Sequence, residues 1–158
     1  EMYYWVKQIN ADINTIGKKL LPCHADGLIA STTRYYPLFD NNGAGRTKYG
    51  PVQHVSAVSN NVVCGCFRDA RRSENGENYK GYKVLVTPHQ PNVDITTRLT
   101  LAASVTTITV TQNNVSKVID LNNLLDVTFD GDKGANLTYS DGRLTLIIPA
   151  GEALLIEF

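Results

Sequence analysis

The sequence lacks several features that would assign a protein to a class at once. Its longest apolar runs are four or five residues, whereas a membrane-spanning helix needs about 20. Basic residues form no cluster, and fifteen Lys or Arg are balanced by fifteen Asp or Glu. We therefore expect no membrane insertion and no nucleic-acid partner. The 158 residues, 42% hydrophobic and 19% charged, have the size and composition of one folded domain.

Cysteine is also scarce, with three residues in an odd number and no disulfide-scaffold spacing. Cys64 and Cys66 lie two apart in a strand-like segment, so both thiols should point to the same sheet face. Two thiolates could begin a metal site, but no further ligands accompany them. We predict that both are reduced, buried core residues without a metal. No cofactor is expected either, because the turn at Gly43–Arg46 lacks the flanking strand, helix and lysine of a phosphate loop.

The first 21 residues read as one amphipathic helix. Six apolar residues follow each other at spacings of 4, 3, 4, 3 and 4, which is the stripe of a helix with one buried face: Met2, Val6, Ile9, Ile13, Ile16 and Leu20. Pro22 disfavours helical geometry at Leu21 and should end the helix there. Because a single helix has little core of its own, we expect Val6, Ile9, Ile13 and Ile16 to dock on a domain that lies upstream.

Residues 22–51 are rich in glycine and proline and show no regular period. We interpret them as a long connector that aromatic residues pin to a surface. A connector of thirty residues is unusual inside a compact domain and favours a domain junction.

From residue 52 to residue 158 the apolar period becomes two, as in half-buried strands. The alternation is clear around Ile95–Leu101 and Leu144–Ile148, and turn sequences such as Asp141-Gly142 separate the runs. About nine short strands with such spacing predict an antiparallel β-sandwich. The expected fold is thus mainly β, with one N-terminal helix and a connector in front of the sandwich.

Aromatic side chains could stack on sugar rings in such a domain. The candidates are Tyr35, Tyr36, Tyr49 and Tyr79, with Trp5, Tyr82 and Tyr139 of the same type. The alternative for each is packing in the core or at an interface.

Four segments resemble the end of a TIM-barrel glycoside hydrolase of the β-galactosidase-like type. Residues 9–20, INADINTIGKKL, are similar to the last barrel helix, of the form I-N-x-E/D-I-x-x-L-G-x-x-L. Residues 62–69, VVCGCFRD, resemble a strand V-V-x-G-x-F-x-D of the accessory sandwich that follows. Residues 82–88, YKVLVTP, resemble its partner strand, and residues 146–158, LIIPAGEALLIEF, resemble the L-P-P-G-E-G-x-L-L-x-L terminus of many glycosidases.

The resemblance implies that residues 1–21 are the terminal helix of a catalytic barrel and that residues 52–158 are its accessory domain. The barrel would be the main partner, and a periplasmic or extracellular location would follow. No catalytic residue can be assigned, because no pair of carboxylates suggests a hydrolytic cleft in this segment. The expected function is a non-catalytic accessory sandwich that stabilises the barrel of a glycoside hydrolase. A carbohydrate-binding module and a structural or oligomerising domain of a surface protein are the alternatives.

Overall fold

Alternating apolar side chains organise most of this chain into strands. The computed structural model describes residues 2–30, 46–47, 50–51, 54–59, 61–69, 82–123 and 125–158. One helix, α1, covers Met2–Leu20. The strands are β1 Cys23–Ala30, β2 Arg46–Thr47, β3 Gly50–Pro51, β4 Val55–Val58, β5 Val62–Asp69, β6 Lys83–Pro88, β7 Ile95–Leu101, β8 Thr107–Gln112, β9 Val115–Asp120, β10 Leu125–Thr128, β11 Asn136–Ser140, β12 Arg143–Ile148 and β13 Leu154–Glu157.

The strands form two antiparallel sheets whose inner faces share one apolar core. The larger sheet has the order β3-β2-β1-β5-β6-β13-β8-β9, and the smaller has the order β10-β11-β12-β7-β4. Buried side chains of both sheets belong to one cluster, so the predicted β-sandwich is confirmed. Within the described part of residues 52–158 there are ten strands, close to the expected nine.

The strands that had the clearest alternation behave as expected. In β7, Ile95, Leu99 and Leu101 are buried, and in β12 Leu144 and Leu146 are completely enclosed. The intervening residues face outward along both strands. These two strands are neighbours in the smaller sheet, so their period of two supplies one continuous inner face.

The turn predicted at Asp141-Gly142 is also confirmed. Asp141 and Gly142 both have positive φ, at 52° and 75°, and Ser140 pairs with Arg143 across the turn. Positive φ at both central residues is the geometry that matches the twist of a two-residue hairpin, and Asp-Gly adopts it at low cost.

Residues 22–51, expected to form a connector, contain three strands of the larger sheet: β1 at the beginning, and β2 and β3 near the end. Strand β1 pairs with β5 from Cys23↔Asp69 to Ala30↔Val63. Its sequence, CHADGLIA, has no period of two, and a register shift between Ala25 and Gly27 absorbs the turn-like Asp-Gly pair as a bulge. Backbone pairing with β5 therefore makes this segment a strand, although its side-chain pattern does not predict one.

The last strand occupies a central place in the larger sheet. β13 lies between β6 and β8 and pairs with both. Leu154 and Ile156 are fully buried in the core, and Phe158 packs against it partly exposed. A turn precedes this strand, since Gly151 has φ +84° and the Glu152 amide donates to the Pro149 carbonyl at 3.1 Å.

Helix α1 is attached to the outer face of the larger sheet. Lys83 and Glu157 alternate with the core residues Val84 and Ile156, so their side chains leave the sheet on the side away from the core. Both contact Lys19 in the last turn of α1. The C-terminal turn of the helix is thereby placed over neighbouring strands β6 and β13.

Candidate functional site

The two sides of α1 have different surroundings. One side is partly buried and faces the sandwich: Asp12, Thr15, Ile16, Lys19 and Leu20. A second set is apolar and exposed, and we call it the docking stripe: Met2, Val6, Ile9 and Ile13. With 3.6 residues per turn, the docking stripe lies roughly a quarter of a turn around the helix from the sandwich-facing side.

Three of the four predicted docking residues therefore lie on an open surface. Val6, Ile9 and Ile13 are 51%, 53% and 65% exposed. Ile16 is half-buried, and it lies where the docking stripe meets the sandwich-facing side. Among the described residues, those of the sandwich cover the C-terminal end of the apolar pattern and leave Val6, Ile9 and Ile13 exposed.

A charged cluster fixes the C-terminal end of α1 on the sheet. Lys83 Nζ donates to the Lys19 carbonyl oxygen at 2.7 Å and lies 3.4 Å from Glu157 Oε2. Lys19 Nζ forms an ion pair with the other oxygen of the same carboxylate. Cationic groups at a helix C-terminus interact favourably with its dipole and satisfy carbonyls that have no partner within the helix. The docking stripe is thus presented by a helix whose last turn is held in place.

A polar cleft lies between α1 and two turns of the sandwich. Its volume is about 360 Å³, and three segments line it: Gln8 of α1, residues 112–115 at the β8–β9 turn, and residues 129–133 of the loop between β10 and β11. The two turns meet because β9 and β10 are the edge strands of the two sheets. Lys117 Nζ on β9 donates to the Thr128 carbonyl on β10 at 2.8 Å and joins these edges.

Buried hydrogen bonds give the cleft a fixed frame. Gln112, which is 4% exposed, donates to Glu152 Oε2 at 3.0 Å and accepts from the Ala135 amide at 2.9 Å. Asn113 Nδ2 donates to the same Glu152 oxygen at 2.9 Å. At Gly134 a Cβ would lie 1.8 Å from the Phe129 carbonyl oxygen, so the close turn of the 129–135 loop requires glycine there.

The sequence indicated both turns but could not indicate the cleft. Gln112-Asn113-Asn114 and Asp130-Gly131-Asp132 are recognisable as turns from their composition. The two turns meet because β9 and β10 become the edge strands of the two sheets. Gln8 lines the same cleft because of the position of α1 on the larger sheet. The strand order of the sheets brings these residues together, and no local sequence motif predicts that they meet.

The four tyrosines predicted as sugar contacts, Tyr35, Tyr36, Tyr49 and Tyr79, all lie outside the described residues. Of the other aromatics of this type, Tyr82 is 2% exposed in the core and Tyr139 packs partly against it. These two rings contribute to packing.

A group of rings closes one end of the sandwich. His54 stacks on Tyr82 and on Phe158 with ring centroids 5.2 Å apart in each case, and the Arg68 guanidinium lies 5.7 Å from the Tyr82 centroid. Burial, and then the positive charge of Arg68, lowers the pKa of His54 below its ordinary value. The neutral imidazole is therefore favoured, and the group serves packing.

The two cysteines of β5 are buried, as predicted. Cys64 is fully enclosed and Cys66 is 1% exposed, and no disulfide joins them. Burial, and then the like charge of a neighbouring Cys66 thiolate, raises the pKa of the Cys64 thiol. A thiol held in its neutral form is a poor nucleophile. Within the described ranges, no three His, Cys, Asp or Glu side chains are grouped to hold a metal ion.

Comparisons place no known protein beside this chain. No protein-family model, curated protein or solved structure matches it. In the part of the chain that the structure covers, no helix has the length and apolarity needed to cross a membrane.

Proposed function

We propose that this chain is a non-catalytic accessory β-sandwich of a glycoside hydrolase, and that the docking stripe of α1 packs on the catalytic barrel of the same protein. The observation that carries the proposal is the exposure of Val6, Ile9 and Ile13 on a helix whose C-terminal turn is fixed. Exposed apolar surface of this kind is typical of an interface.

The spacing within the docking stripe favours a helical partner. Apolar residues separated by 4, 3 and 4 positions form a narrow seam of the type that packs against another helix. A TIM barrel carries its helices in an outer ring, so it offers the surface that such a seam requires. The resemblance of residues 9–20 to a terminal barrel helix supports the same partner.

The energy of the contact is sufficient for stable packing. Each fully buried Val, Ile or Met side chain contributes about 1.5–3 kcal/mol. Four such residues in the docking stripe would add an amount comparable with the whole stability of a small domain. The sandwich would then stabilise the barrel, and the barrel would cover a face that the sandwich leaves open.

The proposal is tested by the gene and its full product. The reading frame upstream of the codon for Glu1 should encode a barrel with two carboxylates placed for glycoside hydrolysis. The longer polypeptide should hydrolyse aryl glycosides, and substitution of either carboxylate should abolish turnover. An upstream frame that encodes no barrel, or a longer product whose activity survives removal of both carboxylates, would contradict the proposal.

A further inference from the structure

The cleft combines polar side chains with apolar surface, to which Val115 and Phe129 contribute, a mixture that suits an uncharged ligand with hydroxyl groups and apolar faces. Amide groups come from Gln8, Asn113 and Asn114, carboxylates from Asp130 and Asp132, and an ammonium group from Lys133. Amides and carboxylates together offer both donors and acceptors. Two carboxylates against one ammonium leave the cleft with an excess of negative charge, which disfavours phosphate and other anions.

An exposed aromatic residue, Tyr4, lies on α1 close in sequence to Gln8, the helical residue that lines this cleft. Tyr4 is one helical turn before Gln8, on the same side of α1, and is 72% exposed. Residues four apart on a helix are neighbours with Cβ atoms about 5–6 Å apart. Tyr4 is therefore a neighbour of Gln8 on the helix surface, and Gln8 lines the cleft.

We propose that this cleft binds a neutral sugar residue, with the ring of Tyr4 as its stacking face. The apolar face of a sugar ring packs on an aromatic ring, while its hydroxyl groups exchange hydrogen bonds with amides and carboxylates. A pocket of about 360 Å³ is at the lower end of the range for small-molecule sites, as suits one or two sugar units.

The frame of the cleft is ordered before any ligand binds. Gln112 and Glu152 hold Asn113 from below, and Lys133 Nζ donates to the Ala150 carbonyl at 3.3 Å. Backbone hydrogen bonds from Phe129 to Ala135 and from Gly134 to Gly131 hold the loop that carries Asp130 and Asp132. Side chains that are already positioned lose less entropy on binding.

The cleft is separate from the docking stripe. Tyr4 and Gln8 lie on one side of α1, and Val6, Ile9 and Ile13 lie between a quarter and half a turn around the helix from them. A barrel on the docking stripe and a sugar in the cleft can be bound together. This inference goes beyond the proposed function and does not rest on it.

The test is an NMR titration of the ¹⁵N-labelled 158-residue chain with four neutral probes: galactobiose, cellobiose, xylobiose and mannobiose. At least one should shift the backbone amides of residues 113–114 and 130–133 in a saturable manner by about 10 mM, which covers a Kd in the millimolar range. Tyr4→Ala should weaken that binding about tenfold, the loss expected when an aromatic contact is removed.

Tyr3→Ala is the matched control, because Tyr3 is the same residue type, is 81% exposed and points to another side of α1. It should leave the Kd unchanged, and Asp132→Ala should weaken binding while the thermal midpoint stays the same. The proposal is overturned if none of the four probes gives saturable shifts. Binding that Tyr4→Ala leaves intact, or that Tyr3→Ala weakens equally, would also overturn it.

Discussion

The C-terminal strand and the N-terminal helix are both rich in apolar side chains, yet only those of the strand are enclosed. Leu154, Leu155 and Ile156 in β13 are fully buried between neighbouring strands. Ile9 and Ile13 in α1 remain more than half exposed. A regular spacing of apolar residues therefore indicates that a helix or strand has a face suited to burial. The fold is needed to show whether the chain's own sandwich encloses that face.

The largest expected effect comes from removing β13. Deleting residues 153–158 removes the strand that joins β6 to β8, and each of its three buried side chains contributes about 1.5–3 kcal/mol. That sum is comparable with the net stability of a typical domain. The truncated chain should be insoluble or molten, as judged by near-UV circular dichroism and thermal melting. Removal of residues 1–4 is the control and should leave cooperative melting intact; a soluble, cooperatively melting 1–152 chain would refute the central role of β13.

The same substitution, Ile to Ala, can be made in β13 and in α1 to compare the stability that each element contributes. Ile156→Ala should lower the free energy of unfolding by about 2–5 kcal/mol, because it leaves a cavity in the core. Ile9→Ala should change it by less than about 0.5 kcal/mol, because exposed positions are tolerant and alanine is a better helix former. Urea unfolding of the two variants measures both values. Equal losses would mean that the chain buries its own docking stripe.

The end of the sandwich closed by His54 should respond to pH. Since the folded chain holds the pKa of His54 below 6.5, the unfolded state binds more protons between the two pKa values. The stabilisation is complete above pH 6.5 and is lost as the pH falls through the lower, folded pKa. Urea unfolding between pH 7.5 and pH 4.5 should show this loss in the wild type. It should be smaller in His54→Gln, with His24→Gln, at an exposed position, as the control; identical pH profiles for wild type and His54→Gln would contradict the assignment.

We expect no glycosidase activity from the isolated chain. Purified residues 1–158 should not hydrolyse aryl glycosides, because the sequence assigns no pair of carboxylates to the acid and nucleophile roles. Turnover that a single Asp or Glu substitution abolishes would show that the sandwich is itself an enzyme.

How far the sequence predicts this molecule depends on how local each feature is. The strands β7 and β12 and the Asp141-Gly142 hairpin follow from patterns within six residues. Strand β1 does not, because its CHADGLIA sequence lacks alternation and its pairing with distant β5 decides its form. The cleft was missed for the same reason, since Asn113 and Asp130 meet only when two sheets place their edges together.

Helix α1 is predictable from the sequence only in part. Its existence and its end near Leu21 follow from spacing and from Pro22, and the same spacing marks the apolar residues that the docking stripe leaves exposed. Which side of α1 meets the sandwich could not be predicted. The ion pair of Lys19 with Glu157 and the bond from Lys83 settle it, and both partners come from strands far along the chain.

The central claim, that the docking stripe is covered by a partner outside the sandwich, is tested most directly by one set of thermal melts. Ile9→Asp and its neighbour Asn10→Asp, at an exposed polar position, are compared in the 158-residue chain and in the longer polypeptide that the proposed function requires. The account predicts that neither variant shifts the Tm of the short chain by more than about 2 °C, and that only Ile9→Asp lowers the Tm of the long one, by about 5 °C or more. Equal Tm values for the two variants in the long polypeptide would contradict it.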